Sequence, residues 1–339
     1  MIAHVARRVM VTLPTLLGIL IASFFLLHML PGDPARAVLG QRASEENVRV
    51  YRQQAGLDRP LHQQLLSYLD DLAHGEFGTS HRTSQSVASE LKVRIPATME
   101  LALAAMLLAT VVGVSLGILA SIRPHGPLDL ACLVVALVGV SIPIFWLGFL
   151  LQRLFAGELN MLPFGGRMDV TWEGFRPITG FFVIDAALYY RSPALLADVL
   201  AHLALPAFVL ATVPTALIAR ITRATMMETL KQDYMRTAKA KGAGPASVVL
   251  KHGLRNALIP ILTAVTTQFG YLLGGAVLTE TIFGWPGLGR YVIESIDILD
   301  ARPLQASVLF IASAFVLVNL LTDLSYSLVD PRLRRRGAP

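Results

Sequence analysis

Residues Tyr234–Asn256 read YMRTAKAKGAGPASVVLKHGLRN. The stretch is basic, favours helix up to a Gly break, and lies between two long apolar runs. Its composition is too helix-prone for a tether and too polar for hydrocarbon, where each charged side chain is costly. From Thr225 to Lys241 the residues predict one helix that Gly242 ends, with Lys239 and Lys241 in the last turn, where cations meet the negative end of the helix dipole. Gly244-Pro245 makes a turn, and Pro245 suits the first position of a second helix through Val248, Val249 and Leu250. The expectation is a short helix-turn-helix lying along a membrane surface.

The flanking runs set the class. Of the 339 residues 54% are hydrophobic and only 15% charged, with mean hydropathy +0.58; soluble domains carry about 25% charged residues. Apolar stretches occur at Val9–Leu30, Ala97–Ile122, Leu128–Phe155, Asp198–Ile221, Ala257–Thr279 and Leu304–Leu328. Each is long enough to cross about 30 Å of hydrocarbon as a helix, and none has the ten-residue alternation of a membrane strand. The first run exceeds the apolar core of a cleaved signal peptide, so it reads as a retained first helix. The fold expected is an all-α membrane protein with six transmembrane helices.

Charge orients it. With the N-terminus in the cytoplasm, segments 1–8, 121–129, 220–256 and 329–339 are inside and hold 15 Lys/Arg against 4 acids. The outside segments 31–96, 158–197 and 280–303 are together twice as long and hold 13 Lys/Arg against 16 acids. The positive-inside rule favours this arrangement, with both termini inside. The pI of 9.7 then reflects topology and is no sign of nucleic-acid binding, because the basic groups sit in juxtamembrane loops. The chain divides into a tip and first helix (1–30), an outside segment (31–96), a core of five helices (97–328) with an inside loop 222–256, and a tail (329–339).

In the outside segment, helices around Glu45–Ala55 and Leu61–Leu72 are expected, with turns at Gly56-Leu57-Asp58 and His74-Gly75. Phe283-Gly284-Trp285-Pro286-Gly287-Leu288-Gly289 reads as a compact turn with an aromatic anchor. Gly113 with Gly117, and Gly270 with Gly274, are small-residue pairs on one helix face, suited to close packing within the chain or against a second subunit. Pro143, Pro206 and Pro214 mark kinks. Lone Cys132 is a packing residue. His62, His74 and His81 lack ligand-like spacing and read as surface histidines, so no metal site is expected.

As a helix-turn-helix the opening stretch is too tightly tethered to the bilayer for DNA. Two readings stay open: a surface helix held by anionic lipid, and a docking surface for a soluble partner. Here the residues resemble a family. Arg236-Thr237-Ala238-Lys239-Ala240-Lys241-Gly242, nine residues, then His252-Gly253-Leu254, is similar to the coupling loop of bacterial ABC-importer permeases, whose general pattern is Glu-Ala-Ala, three residues, Gly, nine residues, Ile-x-Leu-Pro. Ala238, Gly242 and Leu254 match; Arg236, Thr237 and Arg255 depart, as they do in the peptide-transporter branch. Leu30-Pro31-Gly32-Asp33-Pro34, Gly75-Glu76-Phe77-Gly78-Thr79-Ser80, Ser141-Ile142-Pro143-Ile144-Phe145-Trp146 and Val329-Asp330-Pro331-Arg332 extend the match over nearly the whole chain. Ile178–Ala186 looks most like dipeptide permeases.

The resemblance implies a type I importer permease fold with a cytoplasmic coupling helix and a periplasmic segment after the first helix, in the bacterial inner membrane. It implies a second homologous permease subunit, two cytoplasmic ATPase subunits that use ATP and Mg, and a periplasmic binding protein that delivers the peptide. This chain has no GxxxxGK[ST] phosphate cradle and no HExxH or GxSxG motif, so no cofactor and no catalytic residue is assigned to it. Tyr234, Arg236, Thr237, Ala238, Lys239, Lys241, Gly242, His252, Leu254, Arg255 and Asn256 are the coupling candidates. Polar or aromatic residues within the spans, Ser141, Trp146, Gln268, Asn319 and Asp323, are path candidates; Asp323 is placed to pair with Arg220 or Arg223. Glu280, Phe283, Trp285 and Gly287 are candidates for binding-protein docking or a gate. Alternatives within the class are glutathione, haem or nickel import; outside it, a membrane scaffold without transport.

Overall fold

The computed structural model describes residues 14–25, 29, 33–40, 42–172 and 174–329. Along these residues run α1 (Pro14–Phe25), α2 (Pro34–Leu39), α3 (Glu45–Gln54), α4 (Leu61–Ala73), α5 (Val87–Ile122), α6 (Pro127–Ser141) and α7 (Ile144–Leu151, π-helical on to Glu158). Next come α8 (Phe182–Ile184, π-helical on to Tyr189), α9 (Pro193–Leu230), α10 (Asp233–Ala240) and a π-helical stretch Ser247–Leu254 that leads into α11 (Arg255–Gly275). The last three are α12 (Val277–Ile282), α13 (Leu288–Asp297) and α14 (Ala301–Val329). Among the described residues the one non-helical pairing is a bridge between Thr79 and Ser86.

Among the described residues four helical runs are long and apolar enough to cross a membrane: α5, α9, Ser247–Gly274, and Ala301–Thr322 of α14. The expected span Leu128–Phe155 is instead a pair, α6 and α7, bent by 98°; counted as one crossing it makes five. The physical cause is Pro143. It has no N–H to give to the ladder and drives its predecessor out of the α region, and Ile142 is extended at φ −84°, ψ 124°. Pro206 and Pro214, expected as kinks, lie buried inside α9, which continues helically through both. Of the expected span Val9–Leu30 the described part includes the twelve-residue α1; residues 1–13 and the tail from 330 lie outside the described residues. α5 starts ten residues before its expected span, because Val87–Pro96 also buries one face.

The chain forms two compact units, Met1–Thr98 with Pro286–Val316, and Met99–Trp285 with Leu317–Pro339. In the first, both expected outside helices are present, and both are tied down locally. The Ser44 hydroxyl caps α3 by accepting from the Asn47 N–H at 3.3 Å. Asp33 caps α2 and takes the Arg52 guanidinium at 2.9 Å. Buried Asp300 accepts from the Ser80 hydroxyl and the His81 N–H, both at 2.8 Å. The core joins Val87 and Leu91 of α5 to Leu288, Tyr291 and Ala306. The Tyr291 hydroxyl donates to Glu90, and the Arg94 guanidinium lies 4.0 Å from its ring centre. Burial and the Glu90 carboxylate push that phenol well above its usual range.

In the second unit α9 is the central helix, with α6, α7 and α11 packed on it. α5 approaches it through Gly113 and Gly117. A Cβ at Gly117 would sit 2.5 Å from the Thr222 Cβ and 2.7 Å from the Ala219 carbonyl, and one at Gly113 2.8 Å from the Thr215 carbonyl. This glycine pair therefore packs within the chain. Gly274 of the other pair meets nothing within 4 Å.

Candidate functional site

The opening stretch folds as two helices around a tight turn, with one correction. The expected single helix Thr225–Lys241 is broken: α9 ends at Leu230, Lys231 and Gln232 form a turn, and α10 starts afresh at Asp233. The break lets Met235 turn inward and become fully buried. Gly242 ends α10 as expected, at φ +82°. Its N–H donates to the Lys239 carbonyl at 3.0 Å and the Ala243 N–H to the Ala238 carbonyl at 3.2 Å, the two bonds of a Schellman motif, which needs a left-handed residue and so favours Gly.

The same two helices carry an inner and an outer face. Inside, Met226 of α9 packs with Ala257 and Ile261 of α11, flanked by Leu230, Val249 and Leu254. Gly253 closes the joint: a Cβ there would meet the Met226 Cε at 3.2 Å and the Leu230 Cδ2 at 3.3 Å. His252 is half-buried, and its carbonyl accepts from the Asn256 side chain at 2.8 Å. Outside, Tyr234, Arg236, Thr237, Lys239, Lys241, Gly242 and Arg255 are exposed and Ala238 is half-exposed. Arg236 reaches Asp233 at 3.6 Å, but both are so exposed that the pair contributes little. The arrangement is an exposed polar knob packed at its base through Met235, Gly253 and Leu254.

Behind the knob lies an ion pair that the sequence reading missed. Arg223 gives Asp129 two hydrogen bonds, Nη2–Oδ2 at 2.6 Å being one, and the His125 N–H donates to the same carboxylate at 2.9 Å. Asp129 is buried in the first turn of α6, where the helix dipole favours a negative charge. Arg223 is thus engaged by Asp129; the Asp323 side chain, expected to pair with Arg220 or Arg223, lies outside the described residues. The available signal was a lone acid beside an apolar run.

A second missed site organises the segment 158–190. Glu100, three residues into its expected span, pairs with Arg167 and accepts from the Val183 N–H at 2.8 Å. The Arg167 guanidinium stacks on Phe182 with its carbon 3.6 Å from the ring centre and donates to the Gly180 carbonyl. Burial pulls the Arg167 pKa down, and Glu100 opposes that. Fully buried Asp185 gathers the Ile178 and Thr179 N–H groups at 3.0 Å each and the Thr179 hydroxyl at 2.8 Å.

The remaining candidates are not brought together. The Ser141 hydroxyl donates to the Leu137 carbonyl of its own helix, Trp146 is exposed beyond the Pro143 bend, Gln268 is half-buried and Asn319 exposed. Glu280, Phe283, Trp285 and Gly287 are all buried. They offer no surface to a docking protein in this conformation; Phe283 packs with Leu205 and Val209, and the aromatic anchor is a core element. Among the described residues no group of three His, Cys, Asp or Glu side chains is placed to hold a metal.

Comparison with known proteins gives two family-model matches: a binding-protein-dependent transport system inner membrane component over residues 113–335 and the N-terminal part of such a membrane component over residues 1–102. The chain is 43% identical to a dipeptide transport system permease of Alkalihalophilus pseudofirmus, covering 98% of this chain and all of that one. It is also 43% identical to a di/tripeptide transport system permease of Pseudomonas aeruginosa, over 99% of this chain and all of the relative. A probable D,D-dipeptide transport system permease of Escherichia coli is 44% identical over 94% of each. With matches on both sides of the helix-turn-helix and along almost the whole length, the chain belongs to the family of binding-protein-dependent transport system inner membrane components.

Proposed function

We propose that this chain is the transmembrane subunit of an ATP-driven importer and forms, with a second homologous permease subunit, the path for dipeptides or short peptides. Support comes from full-length identity to peptide permeases together with the one geometric observation that carries the mechanism: an exposed basic knob, Tyr234–Gly242, clamped to α9 and α11 through Met235, Gly253 and Leu254. Two ATPase subunits close on ATP and Mg, neither of which this chain binds. The knob rides in a groove on one ATPase, and its displacement passes through the Met226–Ala257–Ile261 cluster to the two helices. A periplasmic binding protein supplies the peptide from the side of residues 158–190. The chain crosses the inner membrane six times with both termini cytoplasmic.

Reconstitution with its co-purifying subunits in liposomes tests this reading. ATP-dependent uptake of labelled dipeptides in preference to glutathione, haem or nickel is the expected outcome. Gly242→Asp and Ala238→Asp leave the chain inserted but remove ATPase subunits from the purified complex. Retention of both ATPases with peptide-stimulated hydrolysis in these variants sinks the coupling assignment, and absence of any ATP-dependent uptake by the intact complex favours a scaffold.

A further inference from the structure

We propose that a cavity beside the Tyr234–Gly242 knob receives an acidic side chain of the cytoplasmic ATPase subunit, so that the partner grips the knob on two sides. This rests on the ATPase-docking reading of the knob and adds the end of α5 to that contact. The cavity measures about 470 Å³, inside the roughly 300–1,000 Å³ usual for ligand pockets. Its walls come from three stretches of the second unit: Ile122 and Pro124 at and after the end of α5, Met227 and Leu230 of α9, and Val248 and Val249 after the Gly244-Pro245 turn. The two long helices run side by side in the same direction, since Gly113 of α5 meets Thr215 and Ile218 of α9, and Gly117 meets Ala219 and Thr222. One turn further on, Ile122 therefore stands level with the last turns of α9.

Charge and continuity select the occupant. Lys231 and Lys239, from two different elements, both line the cavity, and no acid does. Both lysines are exposed and neither makes an ion pair among the described residues. The cations around them are already used, Arg223 on Asp129 and Arg236 beside Asp233. Glu228, one turn before Lys231, lines the adjoining groove and not this cavity. Two like charges thus share one apolar-walled space without a counter-charge, and interfaces pair such a site with the opposite sign. The chain's own tail does not supply it, because residues 331–339 hold four Arg and no acid. Lys239 belongs both to the cavity and to the exposed face of the knob, so a protein that covers the knob also reaches the cavity mouth. An Asp or Glu on that protein supplies the missing charge, and its neighbouring side chains cover the apolar walls.

The test uses the complete transporter. A carbodiimide joins a lysine amine only to a carboxylate in direct contact, and peptide mass spectrometry reads the product. A link from Lys231 to an Asp or Glu of the ATPase is expected; links from Lys239 alone overturn the proposal, because the outer face of the knob accounts for those. Lys231→Glu is expected to weaken ATPase retention roughly ten-fold at low salt, and Lys231→Arg to keep it; unchanged retention in Lys231→Glu overturns the proposal. Cysteine protection in a Cys132→Ala background separates the cavity from the docking reading, with Ile122→Cys on the α5 wall and Arg236→Cys on the outer face. Slower maleimide labelling of both when ATPase is bound supports the proposal. Slowing at Arg236→Cys alone overturns the cavity contact and leaves knob docking standing, and slowing at neither removes both. Protection of Ile122→Cys that persists without the ATPase and disappears on delipidation assigns the cavity to a lipid and overturns the proposal.

Discussion

At the residue scale, small side chains and paired charges decide how closely the helices of the second unit approach. Gly117 is the tighter of the α5 pair, with no room for a methyl group beside Thr222. Gly117→Leu is expected to cost about 1–3 kcal/mol, the usual range for overpacking, and to lower the melting temperature of the purified complex. Gly274→Ala, where a Cβ meets nothing, leaves it unchanged; equal shifts for the two contradict the packing. The buried Asp129–Arg223 pair makes a complementary case. Asp129→Asn strands a partly exposed guanidinium, so the loss is set at about 1–3 kcal/mol, below the ~3–5 kcal/mol of a fully buried break. A double-mutant cycle with Arg223→Gln reads the pairwise part, and a coupling near zero contradicts the bidentate geometry.

At the element scale, the segment 158–190 is held by buried charge where regular secondary structure is sparse. Removing the Glu100 carboxylate leaves Arg167, stacked on Phe182, without its counter-charge. Glu100→Gln is expected to cost about 3–5 kcal/mol and to open the segment to limited proteolysis. Glu100→Gln with Arg167→Met recovers most of the protection, because two neutral groups no longer strand a charge; no recovery contradicts the pairing. This element also marks the limit of sequence reading. Helices with local signals were legible: α3 ahead of the Gly56-Leu57-Asp58 turn, the Gly242 stop of α10, the long apolar runs. What was not legible depends on partners far along the chain. Nothing near Glu100 names Arg167, and nothing near Arg223 names Asp129. The break at Lys231–Gln232 was missed because those residues are adequate helix formers and the reason to stop is the tertiary pocket that takes Met235. The turn around Trp285 was legible as a turn, but its burial follows from packing by α7 and α9 against Phe283, which local composition does not encode.

At the scale of the whole molecule, one helix fixes the sidedness of the two candidate surfaces. α9 has 38 residues, about 57 Å at 1.5 Å per residue, whereas a bilayer with its headgroups measures about 40–45 Å. The two ends of α9 therefore project from opposite faces of the membrane even when the helix tilts. The segment 158–190 leads into one end and α10 leaves the other, so they lie on opposite sides whatever the total number of crossings. On the orientation proposed from the Lys/Arg excess of 220–256, α10 is cytoplasmic. In a Cys132→Ala background, Lys239→Cys is expected to react with an impermeant maleimide only in inside-out vesicles, and Val170→Cys, at a position 92% exposed, only in intact spheroplasts. Labelling of both from one side contradicts the crossing by α9, and the reverse assignment contradicts the charge-based orientation while leaving the crossing intact. Lys239 also sits on the proposed ATPase-facing knob, so bound ATPase subunits should slow its labelling without affecting Val170. Unaltered labelling of Lys239 in the assembled complex would place the ATPase contact elsewhere on the cytoplasmic surface.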